Sequence, residues 1–235
     1  MTLPEVMAAL RAQGSASVKK IFLRHGAREP FDGVKVADLK VIAKQIKGDQ
    51  SLALALYATG HGDAQYLAGM VASGAAMSRA ELQKWATSSS WNMVANTTVP
   101  WVAVEHPAGF ELGLKWIDAK PTLVAQAGWA TLGGWAAVHP DATLDTKRYA
   151  ALLDRVAAEI HTAPNRVRQQ MNLFVIMVGT YVAPLAERAL KTAQRIGAVQ
   201  VDVGDTDCQI PDAAAYMLKS RRGAPVAPKR KTLRC

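Results

Sequence analysis

Apolar side chains recur along this chain three and four positions apart, the period of an amphipathic helix, and rarely at the two-residue period of a strand. Leu3, Val6, Met7 and Leu10 form the first stripe. Thr2-Leu3-Pro4-Glu5 ahead of it reads as a capping box with proline in the first turn, and Gly14 stops the run. A second helix is predicted over 18–25, closed by Gly26. The loop EPFDGVKV leads into a third over 37–47, with Leu39, Ile42, Ala43 and Ile46 on one face. Asp49 caps a helix to Thr59, and Asp63 opens another carrying Tyr66, Leu67, Met70 and Val71. Ser78-Arg79-Ala80-Glu81 is a second capping box, ahead of Leu82, Trp85 and Ala86. Further helices are predicted over 89–104, 107–117, 120–138, 145–161, 164–182 and 184–196, with Pro100 kinking or splitting the first of these. Residues 199–211 are irregular, with room for one short strand, and 211–220 form a last helix.

A series of about eleven helices on short connections, with no repeated signature, predicts an all-α chain of divergent HEAT-like or ARM-type repeats, an α–α superhelical solenoid. A compact orthogonal bundle is the competing architecture. The predicted division is one repeat domain over 1–218 and a basic tail over 219–235. Half of the 235 residues are apolar, enough for a sizeable core. No run approaches the roughly 18 apolar residues of a membrane span, and the N-terminus lacks the pattern of a signal peptide. Two cysteines, Cys208 and Cys235, make no disulfide framework, so a cytoplasmic setting is expected.

The net charge of +9 is unevenly placed. Seven of the 28 basic side chains, Lys219, Arg221, Arg222, Lys229, Arg230, Lys231 and Arg234, lie in the tail with no acidic companion. That leaves 21 basic against 19 acidic side chains over 1–218. Such a tail is either a solvated terminus or a salt-sensitive phosphate contact, and the body is nearly neutral.

Chemistry-bearing motifs are few. The histidines sit at helix ends, beside Gly or Pro, where a partly charged imidazole complements the macrodipole. No metal-ligand spacing, phosphate-cradling glycine loop or nucleophile elbow occurs, so no metal or cofactor is expected. Cys208 precedes a helix start and reads as a packed thiol or one with a lowered pKa. The tryptophans are more informative: Trp85, Trp91, Trp101, Trp116, Trp129 and Trp135 all fall within one window. Most would be core, but indole faces also stack bases and attract cations. Gly128, Gly133 and Gly134 lie among them and imply close helix packing or close ligand approach. Arg166, Arg168 and Asn172 begin a helix with polar groups that either grip phosphates or face solvent.

Three segments resemble the DNA alkylation repair family of HEAT-like repeat proteins, the AlkD-like group. They are EPFDGVKVADLKVIAKQI (29–46), the paired helices over 52–72 with Leu56, Tyr57, Gln65, Tyr66 and Ala68, and SSSWNMVAN (88–96). The resemblance implies a curved solenoid with a basic concave face holding duplex DNA, possession of alkylated purines as substrate, aromatic contacts to the lesion, and a carboxylate stabilising the oxocarbenium ion. Transferred to this chain, Trp91 matches the family aromatic, with Trp129, Trp135 and Asn96 as further base-contacting candidates. The position of the family aspartate is Ala95, and Asn92 and Asn96 are its polar neighbours. The family's Arg-Arg stretch is replaced by 127–135, which contains no charge. A shifted alignment brings in Glu105 or Asp118, with no spacing to favour either. The catalytic set is therefore unassigned. Arg166, Arg168, Asn172, Lys219, Arg221, Arg222, Lys229, Arg230 and Lys231 are the DNA-binding candidates.

Three functions follow: a DNA-binding family member with altered or absent catalysis, an active alkylpurine DNA glycosylase using another acid, and a protein-interaction scaffold. A monomer is expected in each.

Overall fold

The computed structural model describes residues 1–234. Thirteen α-helices are present among them, and no strand. The first five are α1 (Leu3–Ala12), α2 (Ala16–Arg24), α3 (Val36–Gln45), α4 (Gln50–Ala58) and α5 (Gly62–Val71). The middle of the chain supplies α6 (Arg79–Thr87), α7 (Val99–Ala103), α8 (Gly109–Ile117) and α9 (Thr122–Val138). The last four are α10 (Thr146–Glu159), α11 (Asn165–Tyr181), α12 (Ala186–Ile196) and α13 (Ala213–Arg221). No single helix among the described residues is long and apolar enough to cross a membrane.

Local chemistry sets the helix starts. Ser78 and Glu81 form the reciprocal capping box ahead of α6, and Asp49 and Asp145 accept from Leu52 N and Arg148 N. Asp212 caps α13 by accepting from Ala215 N. Asp63 behaves differently. It lies inside α5, is buried, and accepts from the backbone N–H groups of Asp32, Gly33 and Val34 at 2.7, 3.0 and 3.2 Å. The carboxylate thus fixes the Phe31–Val34 loop against α5.

Pro100 does not break its helix. The turn before it, Val94–Thr98, widens to a π-helix that runs directly into α7. A wider turn accommodates a residue with no N–H to give, and the Thr97 hydroxyl donates to the Met93 carbonyl within it.

The helices stack in pairs: α4 with α5, α6 with α7, α8 with α9, α10 with α11, α12 with α13. The second members form one continuous row, α5, α7, α9, α11 and α13, each packed on the next, while contacts along the first-member row are sparser. In a curved stack the tighter row is the shorter arc, so this row is the concave side. Small residues let it close. A Cβ on Gly69 would lie 2.5 Å from Thr98 Cγ2, one on Gly128 would lie 2.6 Å from Ile117 N, and one on Gly179 would lie 1.9 Å from Met217 Sδ. The close helix packing inferred for Gly128 is therefore real, although its neighbour is the paired helix α8.

Two segments are held by contacts that the sequence does not show. Residues 199–211 are irregular, as expected, and the short strand they had room for does not form. The Asn165 side chain bonds the Asp202 backbone twice, Nδ2 to O at 2.7 Å and N to Oδ1 at 2.8 Å. These are the two bonds a neighbouring strand would otherwise make. The basic tail, expected to be either solvated or held by phosphate, is docked on the body. Its expected start at 219 falls inside α13, and residues 222–234 run across the C-terminal ends of the inner helices. Ala227 N donates to Thr180 O of α11 and Arg230 N to Ala137 O of α9, each at 2.8 Å. Basic side chains reach the unpaired carbonyls there: Arg221 donates to Gly179 O, Lys229 to Ala136 O, and Arg234 to Gly69 O and Ala72 O. Helix C-termini carry unsatisfied carbonyls and partial negative charge, which explains why a lysine- and arginine-rich segment settles on them.

Candidate nucleic-acid interface

The inner row presents a face on which α7, α9 and α11 enclose an apolar cavity of about 210 Å³. Trp101 and Pro100 come from α7, Trp129, Ala130, Gly133 and Gly134 from α9, and Gln170, Leu173, Phe174 and Met177 from α11. Asn96 and Thr97 of the π turn border it, and Leu233 of the C-terminal segment forms one wall. Asn96 Nδ2 donates to Gln126 Oε1 at 3.3 Å, while its Oδ1 is buried without a partner. Trp101 also borders a second depression, beside Lys40 and Lys44 of α3, Met70 of α5 and Arg234. Lys40 and Lys44 are exposed and one helical turn apart. A cationic depression therefore adjoins an aromatic-lined cavity, and they share one indole. No carboxylate lines either.

The sequence-predicted residues are distributed unevenly about this face. Trp91 is largely core, 6% exposed, with its ring 5.3 Å from Phe22, and its edge borders a separate polar depression beside Arg28, Ser90 and Asn92. Trp129 is 1% exposed, packed edge-on to Phe174, and only its margin reaches the cavity. Trp135 leans toward α8, stacked on His139 at 3.7 Å and tilted against Phe110. None of the three offers a free face for stacking, and neither does Trp101, which is 5% exposed and reaches its depressions by its ring edge. Asn96 does border the cavity. The indole that reaches both depressions is Trp101, edge-on to Tyr66 at 5.1 Å; nothing in the sequence separates it from the other five.

Arg168 donates to Ala163 O and Gln200 O, and the buried Asn172 donates to Pro211 O, so both hold the 197–212 loop rather than facing outward. Arg166 is half-buried beside Gln169 at the start of α11. Arg221 is buried and Lys229 pairs with Asp141 at 2.7 Å, so neither is available to a phosphate. Lys219, Arg222, Arg230 and Lys231 are exposed. Lys40 and Lys44 carry no signal in the sequence, where two lysines on an exposed helix face resemble any solvated surface.

The acids are elsewhere. Ala95 is fully buried where the family aspartate was expected. Glu105 accepts from Gly74 N and Arg234, and Asp118 pairs with Arg155 at 2.7 Å. Asp32, His61 and Asp63 do come together, a proximity that their spacing conceals. His61 Nε2 lies 3.2 Å from Asp32 Oδ2, and the oxygens of Asp63 are taken up by the backbone N–H groups already described. His139 is half-buried against Trp135, and desolvation lowers its pKa. Cys208 is exposed in the 197–212 loop, and Cys235 lies outside the described residues.

The family model for DNA alkylation repair enzymes matches residues 6–217. The chain belongs to the DNA alkylation repair enzyme family. Two relatives span nearly all of it. Uncharacterized protein Lin0241 of Listeria innocua is 29% identical, and Lmo0209 of Listeria monocytogenes 28% identical, each over 227 residues covering 94% of this chain and 98% of the relative. A solved structure is similar over 100% of both chains, with a TM-score of 0.90 and 32% identity. It is described as a new family of proteins related to the HEAT-like repeat DNA glycosylases with affinity for branched DNA structures. The HEAT-like architecture expected from the sequence is thereby established for this family member.

Proposed function

We propose that this member of the DNA alkylation repair enzyme family binds DNA against its inner helix row without hydrolysing the glycosidic bond. One observation carries the reading: the cationic depression at Lys40 and Lys44 adjoins an aromatic-lined cavity, and no carboxylate lines either. Phosphate-facing lysines supply salt-dependent affinity. Stabilising an oxocarbenium ion needs a charge opposite to the developing one, which the amides of Asn96 and Gln170 do not supply. The branched-DNA affinity described for the similar solved structure supports a branched target over plain duplex. In this reading the protein acts as a monomer in the cytosol or on the nucleoid, and alkylation of the DNA is not required.

Binding of a labelled three-way junction and of the matching duplex, titrated against salt, tests this. Replacing Lys40 and Lys44 by Glu is expected to weaken binding and lower the salt slope by about one per lysine. Release of methylated purine from alkylated duplex would instead make the protein a glycosylase. Absence of DNA affinity at low salt, together with a co-purifying protein partner, would make it a scaffold.

A further inference from the structure

The two adjoining depressions differ in chemistry in the way that the two ends of a nucleotide do. The cavity between α7, α9 and α11 is walled by Trp101, Phe174 and Met177, and Asn96 contributes a buried acceptor oxygen without a partner. At about 210 Å³ it is smaller than the roughly 300–1,000 Å³ of a drug-sized site, and its scale suits one planar ring system. The neighbouring depression holds Lys40 and Lys44. Trp101 forms the partition, and the consecutive residues Leu233 and Arg234 border one depression each.

We infer that the pair is a composite site for one unstacked nucleotide of bound DNA, with its base in the cavity and its phosphate at Lys40 and Lys44. The inference rests on the DNA-binding reading and adds to it the structural feature being read, an unpaired base. An apolar slot rewards a base already out of the stack, because a paired base must first surrender its stacking and pairing. The free Asn96 Oδ1 accepts from a base N–H group, which replaces a hydrogen bond that the base loses on leaving water. A branch point offers such bases, whereas a continuous duplex does not.

The test uses a three-way junction carrying one unpaired 2-aminopurine at the branch point, and the same labelled strand in a complete duplex. The full-length protein is expected to bind the junction more tightly by roughly 5-fold, the low end of what one base gains against aromatic side chains, because only ring edges line the slot. The 2-aminopurine emission is expected to change on binding only in the junction. Ala130→Leu fills the cavity from α9 and is expected to bring the junction-to-duplex affinity ratio close to one. If its melting curve shows it unfolded, the smaller Ala130→Val serves instead, with a partial loss of the same preference expected.

Equal affinity for both DNAs, with no emission change, would overturn the nucleotide site while leaving DNA binding intact. No binding to either DNA at low salt would overturn the DNA-binding reading itself. Free deoxyadenosine monophosphate is expected to bind only at millimolar concentration; saturation at micromolar concentration would assign the site to a free nucleotide and overturn its placement in DNA.

Discussion

Arg234→Met should destabilise the protein far more than a change in a solvated tail would. The Arg234 guanidinium donates to Gly69 O at 3.1 Å and Ala72 O at 2.6 Å, and meets Glu105 at 2.9 Å. Hydrogen bonds to charged groups contribute about 1.5–3 kcal/mol each, so three suggest several kcal/mol in gross terms. Two effects reduce this. The side chains of Arg234 and Glu105 are 26% and 30% exposed, so water reaches them and partly screens the pair. Water also reaches the freed carbonyls in the variant, and Glu105 keeps its bond from Gly74 N at 2.9 Å. A net loss of about 2 kcal/mol remains, which corresponds to a fall in melting temperature of roughly 4–8 °C for a chain of this size. Urea unfolding should show a lower midpoint at an unchanged slope. Glu105→Gln in the same background should cost less than it does alone, because the pair is already broken. A midpoint shift equivalent to less than about 0.5 kcal/mol, the range of ordinary surface substitutions, would refute the docked position of the C-terminal segment.

Three further outcomes follow from the same geometry. Ala95→Asp should not create a glycosylase: the site is fully buried, so the variant is expected to lose at least about 2 kcal/mol and to release no methylated purine, as read by melting and chromatography of alkylated DNA. Gly128→Ala gains about 1 kcal/mol in helix propensity but sets a Cβ 2.6 Å from Ile117 N, so it should destabilise; Gly133→Ala meets nothing closer than 3.4 Å and should be neutral or mildly stabilising in the same melting assay. Burial depresses the His139 pKa in the folded state. The unfolded chain therefore binds more protons as pH falls through the unfolded imidazole value of about 6.5, and stability should drop across that window. His139→Gln should flatten the slope there, and an unchanged slope would assign the dependence to other groups.

The helices were legible because each is specified within its own few residues. Ser78 with Glu81, Asp49 and Asp145 announce starts that the structure keeps, and the apolar periods of α1 and α3 match their buried faces. Segments specified by distant partners were not legible. The valines at 199, 201 and 203 alternate like a strand, but no strand partner exists among the described residues and Asn165 substitutes for one. The basic run after α13 has the composition of a solvated tail, and only the ends of helices up to 165 residues away show what it binds. The interface was half legible. Asn96 was found through the family resemblance, whereas Trp101, Lys40 and Lys44 gain meaning only when α3 and α7 come together. Conversely, Trp91 and Trp129 were singled out for their indoles, and both are as buried as Trp101, with Trp91 turned away from this cavity.

A stack of helical pairs is ordinarily a one-dimensional object, in which each unit feels only its neighbours and either end can fray by itself. The bond from Arg234 to α5 changes that connectivity. It joins the segment after the last pair to the first inner helix, so a line of units becomes a loop of mutual constraints. Fraying of α13 then pulls on α5, and loosening of α5 exposes the last pair. Hydrogen exchange should therefore report a single cooperative unit over α5–α13, where an untied stack would show a gradient of protection falling toward its ends.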